Sequence, residues 1–534
     1  MKPTLSALVD EYWQHELEQN ASTRSELGLP VEHLPDISYA HAEREAAFAR
    51  ELLAKLDRVD EATLTEEEWI TLAILRDLQR QTIDGLPYFW LESPVTPYAS
   101  QISQVDLIFG RLPFATDEDK ARYVRLLEEH ARFIDGMAEV VREQQRRGIL
   151  LPKAELPVAR TMFSTAALAR DDDRVKETIA AKNEPAMARL AAIFSAEYEA
   201  AAPEGVGIGQ YPGGAEAYRY LIRLHTGTQL TAEEIHQVGL REVERIDREM
   251  AEVRAGLGFA GTKAEFQQHL RSDPRFFAQT PEEIGTRLMA QVRRVEPHVA
   301  RLFATQPRAP YGVERLNPGY EASMTFGYYQ VPTAGDGTGR YLYNGSKLQE
   351  RNLLFAPALM AHELVPGHHF QLARQLENEA IPLFRRKRFD TAYVEGWGEY
   401  AAFLGNEMGL YDDPYDRYGR LMMDMLLSTR LVVDTGMNAL GWPRERAMAF
   451  MKENTLLSDT EIATETLRYA VDIPAQALAY KIGSLRMIEL RRRAERELGA
   501  RFDVRAFHEW LIGSGSMPLP VLEEHVARQI ARVQ

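Results

Sequence analysis

A proline followed by a glycine interrupts the run His362-Glu363-Leu364-Val365-Pro366-Gly367-His368-His369, and no straight helix passes through that pair with its hydrogen bonds intact. Proline removes a backbone donor and crowds the turn before it, while glycine accepts dihedrals that other residues avoid. The chain must distort here. A histidine followed at once by glutamate, with a second histidine further along, is a pattern that holds a divalent metal ion and sets a base beside it. In a regular helix, histidines at i and i+4 share a face about 6 Å apart, but position i+4 is Pro366. His368 at i+6 points about 120° away, and His369 at i+7 shares the face but sits roughly 10 Å along the axis. A two-residue bulge at Pro366-Gly367 puts His368 in the ligating place, and a bulge of another shape puts His369 there.

A catalytic metal needs three protein ligands and an open position. Glu395, in Val394-Glu395-Gly396-Trp397, follows His368 by 27 residues (395 − 368), room for a turn and a returning helix. The expected set is His362, His368 and Glu395 around one zinc ion, and two histidines with one carboxylate also suit manganese, iron or cobalt. Glu363 is placed to take a proton from a water whose pKa the ion lowers from 15.7 to around 7, and to pass it to a leaving amine. His369 then either supports a ligand or touches substrate. Glu399, four residues beyond Glu395, either orients a histidine ligand or lies on a solvated helix face.

The chain has no cysteine, so thiolate sites and disulfides are excluded and any transition-metal site must use histidine and carboxylate. A formal charge of -16 argues against nucleic acid as a partner, because phosphate binding needs a basic stripe. The N-terminal residues turn acidic before an apolar core forms, and no later stretch approaches the apolar length of a membrane span. The expected location is the cytoplasm, with no membrane partner. Oligomeric state is not legible.

Capping boxes at Thr65/Glu68, Thr231/Glu234, Thr280/Glu283 and Ser458/Glu461 predict a mainly α-helical protein. Its 534 residues suffice for two lobes, taken as 1–305 and 306–534. Helices are predicted over 415–437, 444–454, 474–498 and 521–534, and the run Gly513-Ser514-Gly515-Ser516 reads as a loop. The basic run at 142–147 reads as a solvated helix end. Between about 320 and 345 the texture changes, with Ser323-Met324-Thr325-Phe326-Gly327-Tyr328-Tyr329-Gln330-Val331 and Arg340-Tyr341-Leu342-Tyr343-Asn344 predicting a small hairpin or sheet. Its edge either pairs with an extended peptide, which Tyr328 and Tyr329 would then touch, or is structural alone.

The pattern His-Glu-x-x-Pro-Gly-His-His followed by Glu-Gly-Trp resembles the bacterial domain-of-unknown-function family 885, which is similar to carboxypeptidase Taq and the neurolysin-like metallopeptidases. The resemblance takes in Tyr328-Tyr329-Gln330-Val331-Pro332 and the segment Pro474 to Gly483, and so most of the chain. It implies a large helical, two-lobed, zincin-like fold with a deep cleft, and a zinc hydrolase acting on short peptides. It also singles out Tyr480 as the donor to a developing oxyanion. Lys481 or Arg468 would hold a substrate carboxylate, the mark of a carboxypeptidase. The alternatives are hydrolysis of a non-peptide amide or ester, and a peptide-binding protein without catalysis.

Overall fold

The structure is a computed structural model, describing residues 4–98, 100–318, 321, 326–333 and 335–534. It is mainly helical, with one small three-stranded sheet among the described residues. The helix starts follow the capping chemistry. Thr65, Thr231 and Ser458 each accept from the third helical N–H, while the glutamate there returns a bond to the cap backbone. Thr280 caps its helix in the same way, but Glu283 accepts instead from the Gln279 N–H at 2.6 Å, so that end is a simple cap. The basic run forms the solvated end of a helix that is otherwise packed into the core, and there Arg146 and Arg147 both reach Glu143.

The sheet comprises β1 (Tyr311–Arg315), β2 (Gly327–Gln330) and β3 (Gly339–Tyr343), in the order β1-β3-β2. β2 and β3 are antiparallel, with Tyr329 opposite Tyr341, and β1 is added parallel to β3. The expected hairpin is therefore present with a third strand beside it. Ser323, Met324 and Thr325 lie outside the described residues.

The largest buried cluster takes Leu5, Trp69, Ile70 and Leu75 together with Val292, Tyr341, Met360, Trp397, Leu511 and Leu522. Its members come from both sides of residue 305, so the core does not divide there. A second cluster, including Phe109, Tyr123, Ile134 and Leu190, is drawn from residues 21–202. Burial on this scale is the main source of stability for such a chain. Among the described residues, no helix is long and apolar enough to cross a membrane.

Candidate metal centre

The helix Ala356–Glu363 ends at the interruption, and a new helix, His368–Glu377, begins after it. The expected bulge within one helix is instead a complete break over 364–367, containing a cis Val365-Pro366 peptide. Glycine at 367 has a steric reason, since a Cβ there would stand 1.7 Å from the His362 carbonyl oxygen. Two carbonyls in this break are also held from elsewhere: the Trp397 indole N–H lies 3.0 Å from Pro366 O and 3.1 Å from Gly367 O, which accepts the Gln371 N–H as well. Trp397 sits on the helix Thr391–Leu404, which also carries Glu395 and Glu399. The Glu-Gly-Trp motif thus ties the broken turn to the helix that supplies the carboxylate.

The break brings His362 and His368 to one point. Their Nε2 atoms lie 3.5 and 3.4 Å from the same Glu395 oxygen, and their rings are 4.5 Å apart at 80°. All three ligand atoms fall within 4.8 Å of one another. A tetrahedral site with bonds of about 2.0–2.1 Å has ligand–ligand edges of about 3.3–3.5 Å. The donor set therefore fits a zinc ion in chemistry, and the two edges to Glu395 match in spacing. His369 turns the other way, its Nδ1 3.0 Å from the Tyr329 hydroxyl and its Nε2 3.0 Å from the Ala309 carbonyl. The carbonyl can only accept, so Nε2 carries the proton and Tyr329 donates to Nδ1. Burial lowers the His369 pKa to about 4, consistent with a neutral ring bracing the sheet against the helix His368–Glu377.

Behind His362 runs a buried ionic chain. His362 Nδ1 is 2.8 Å from Glu399, whose other oxygen accepts from Arg420 at 3.1 Å. Burial pushes the Glu399 carboxyl up, but Arg420 and His362 outweigh it and hold the group ionised. Asp424, one turn beyond Arg420 on the helix Pro414–Asn438, takes Lys481 at 2.5 Å and Arg245 at 2.9 Å. Lys481 also reaches Glu242 at 2.8 Å, and its side chain is buried. Lys481 is therefore a structural cation between two acids, which corrects its expected role in substrate binding. Among the described residues His368 has no such backing, and its Nδ1 is buried without a partner.

Burial, opposed by His362 and His368 and reinforced by Glu395, raises the Glu363 carboxyl above the ordinary range. Its charge in turn adds to the burial that pushes the Tyr329 hydroxyl up, so the two groups share one neighbourhood. Tyr328, on the opposite face of β2, is 43% exposed. Tyr480 opens the helix Ala479–Leu498, which crosses the Glu395 helix so closely that a Cβ on Gly396 would meet Gly483 backbone at 2.6 Å. Burial and the Glu395 charge both raise the Tyr480 hydroxyl. Arg468 lies in a separate cluster with Glu465 and Gln476. The residues that reading the sequence missed, Arg420, Asp424, Arg245 and Glu242, belong to no motif. Their trace is the i,i+4 spacing of Arg420 and Asp424.

The profile of a family described as a bacterial protein of unknown function matches residues 22–526. The chain belongs to that family, DUF885. No curated protein matches it at a significant level. Among solved structures, this DUF885 member resembles a provisionally assigned lipoprotein of Colwellia psychrerythraea, with TM-score 0.91 at 24% identity, covering 99% of each chain. A second, provisionally assigned as a lipoprotein of unknown function from Shewanella oneidensis, gives TM-score 0.79 at 18% identity over 98% of this chain and 99% of its own. At those identities the likeness establishes a shared fold.

Proposed function

We propose that this DUF885 protein is a zinc-dependent hydrolase of amide bonds, a metallopeptidase acting on short peptides. The carrying observation is the approach of two imidazole nitrogens to one Glu395 oxygen at 3.5 and 3.4 Å, with Glu363 next in sequence to one of them. A zinc ion held by His362, His368 and Glu395 would polarise the scissile carbonyl and acidify water. Glu363 takes the proton of the attacking water, helped by an affinity for protons that burial has raised, and delivers it to the leaving nitrogen. Tyr480, whose hydroxyl burial and the Glu395 charge both raise, keeps its proton and donates it in a hydrogen bond to the developing oxyanion. The edge of β2 offers backbone groups to an extended substrate. This assigns the helices to a two-lobed zincin-like scaffold with the site in a cleft, in keeping with the motif's resemblance to carboxypeptidase Taq and the oligopeptidases.

Incubation of the zinc-loaded protein with a mixed peptide library, read by mass spectrometry with and without chelator, tests the reading. Chelator-sensitive cleavage is expected. Glu363→Gln is expected to retain zinc while turnover falls by about 10²–10⁴-fold. Cleavage that survives both chelation and this substitution would sink the proposal.

A further inference from the structure

We propose that Arg468 and Arg430, with Gln476, Tyr98 and Tyr480 around them, form a subsite that binds a carboxylate group of the substrate. The inference rests on the hydrolase reading for its claim that the bound anion is a substrate.

The helix Asp459–Leu467 widens into a π turn over Arg468–Asp472, and Ala475 just beyond it is held at φ 69. Single π turns gather at functional sites, and a non-glycine residue in the left-handed region is disfavoured unless its surroundings enforce it. This irregular stretch brings Arg468 to Gln476, with Nη2 donating to Oε1 at 2.7 Å. Glu465 receives both guanidinium groups on one oxygen, from Arg430 at 3.0 Å and from Arg468 at 3.3 Å, and the Tyr469 hydroxyl as well. The two cations thus hydrogen-bond to a single carboxylate, while the buried Asp472 interacts with Arg468 through charge alone.

One donor is left over. The Arg468 side chain is 9% exposed, and its Nε is buried without a hydrogen-bond partner among the described residues. Such an orphan carries a desolvation cost that an incoming acceptor removes. A guanidinium presents its N–H groups as a planar fork, the shape that matches a carboxylate. The location is suited to substrate: the Arg430 guanidinium lies 5.0 Å from the centre of the Tyr480 ring, and Tyr480 precedes by three residues Gly483, whose backbone packs against Gly396, the residue after Glu395. The Tyr98 ring, 49% exposed, lies 5.2 Å from the Arg468 guanidinium and opens the cluster toward solvent. The cluster therefore lies between solvent and the metal ligands.

Calorimetric binding of an N-acetylated dipeptide, as its free acid and as its C-terminal amide, to zinc-loaded Glu363→Gln protein tests the subsite without turnover. The acid should bind at least about tenfold more tightly, the scale of one hydrogen bond to a charged group. Arg468→Met should bring the two within about twofold, and Arg468→Lys, which keeps the charge and the fold but loses the fork, should fall between them. Equal binding of acid and amide overturns the proposal, as does inorganic phosphate competing better than acetate. Equal kcat/KM for acid and amide in the unsubstituted enzyme would remove the subsite and leave the hydrolase. Acid-selective binding with no cleavage would do the reverse.

Discussion

His362 and His368 approach the same Glu395 oxygen at nearly equal distance, yet they are held there by different means. His362 is fixed from behind, its second nitrogen bonded to Glu399 and that carboxylate to Arg420. His368 has no partner behind it among the described residues and is placed by the backbone, through the break at 364–367 and the Trp397 bonds to its carbonyls. One ligand is oriented by charge, the other by chain geometry. The difference teaches that two imidazoles can be brought to one point by unlike means, one aligned by a buried acid and the other by starting a helix of its own. In metal sites generally, such acids set the tautomer and raise the basicity of the ring they hold.

The largest effect should come from breaking the charged side. Arg420→Met leaves Glu399 buried without its cation and should cost about 3–5 kcal/mol of stability, read by denaturant unfolding. Glu399→Gln should weaken zinc binding by about 10–100-fold in a chelator competition, with little change in KM. An unchanged zinc affinity would show that His362 needs no orientation, and the contrast with His368 would collapse. Acidity sharpens the same contrast. Burial lowers the pKa of His362, but its bonds to Glu395 and Glu399 prevail and lift it to about 10 in the metal-free protein. An entering ion must displace that proton, so affinity should rise with pH, by up to about tenfold per unit between pH 6.5 and about 10. The sign for stability is the opposite. A group raised above its unfolded value of 6.5 stabilises the metal-free fold below that pH, and the contribution is lost as pH climbs toward 10. Trp397→Phe acts on the geometric side and should cost about 1–2 kcal/mol, with a smaller loss of zinc affinity than Glu399→Gln.

The helices were legible because their caps are local chemistry, and the sequence placed the 444–454 helix where it occurs. The candidate ligands were legible too, because the motif names residue types that have few other reasons to stand together. The choice between His368 and His369 was not. It depends on which way the chain turns after Gly367, and that is decided by Trp397, thirty residues on. Lys481 was misread for a related reason. A lysine beside a site tyrosine looks available for substrate until the packing of three helices puts Asp424 and Glu242 on it. β1 escaped notice because five residues of mixed character signal a strand only when β3 lies alongside.

Since the two histidines stand on separate helices, the distance between them is not set by helical pitch. A divalent ion bound to His362, His368 and Glu395 would act as a rivet through three independent rods, and its arrival should be felt as slower amide exchange along all of them. The interrupted turn gives the protein a joint that such an ion would lock.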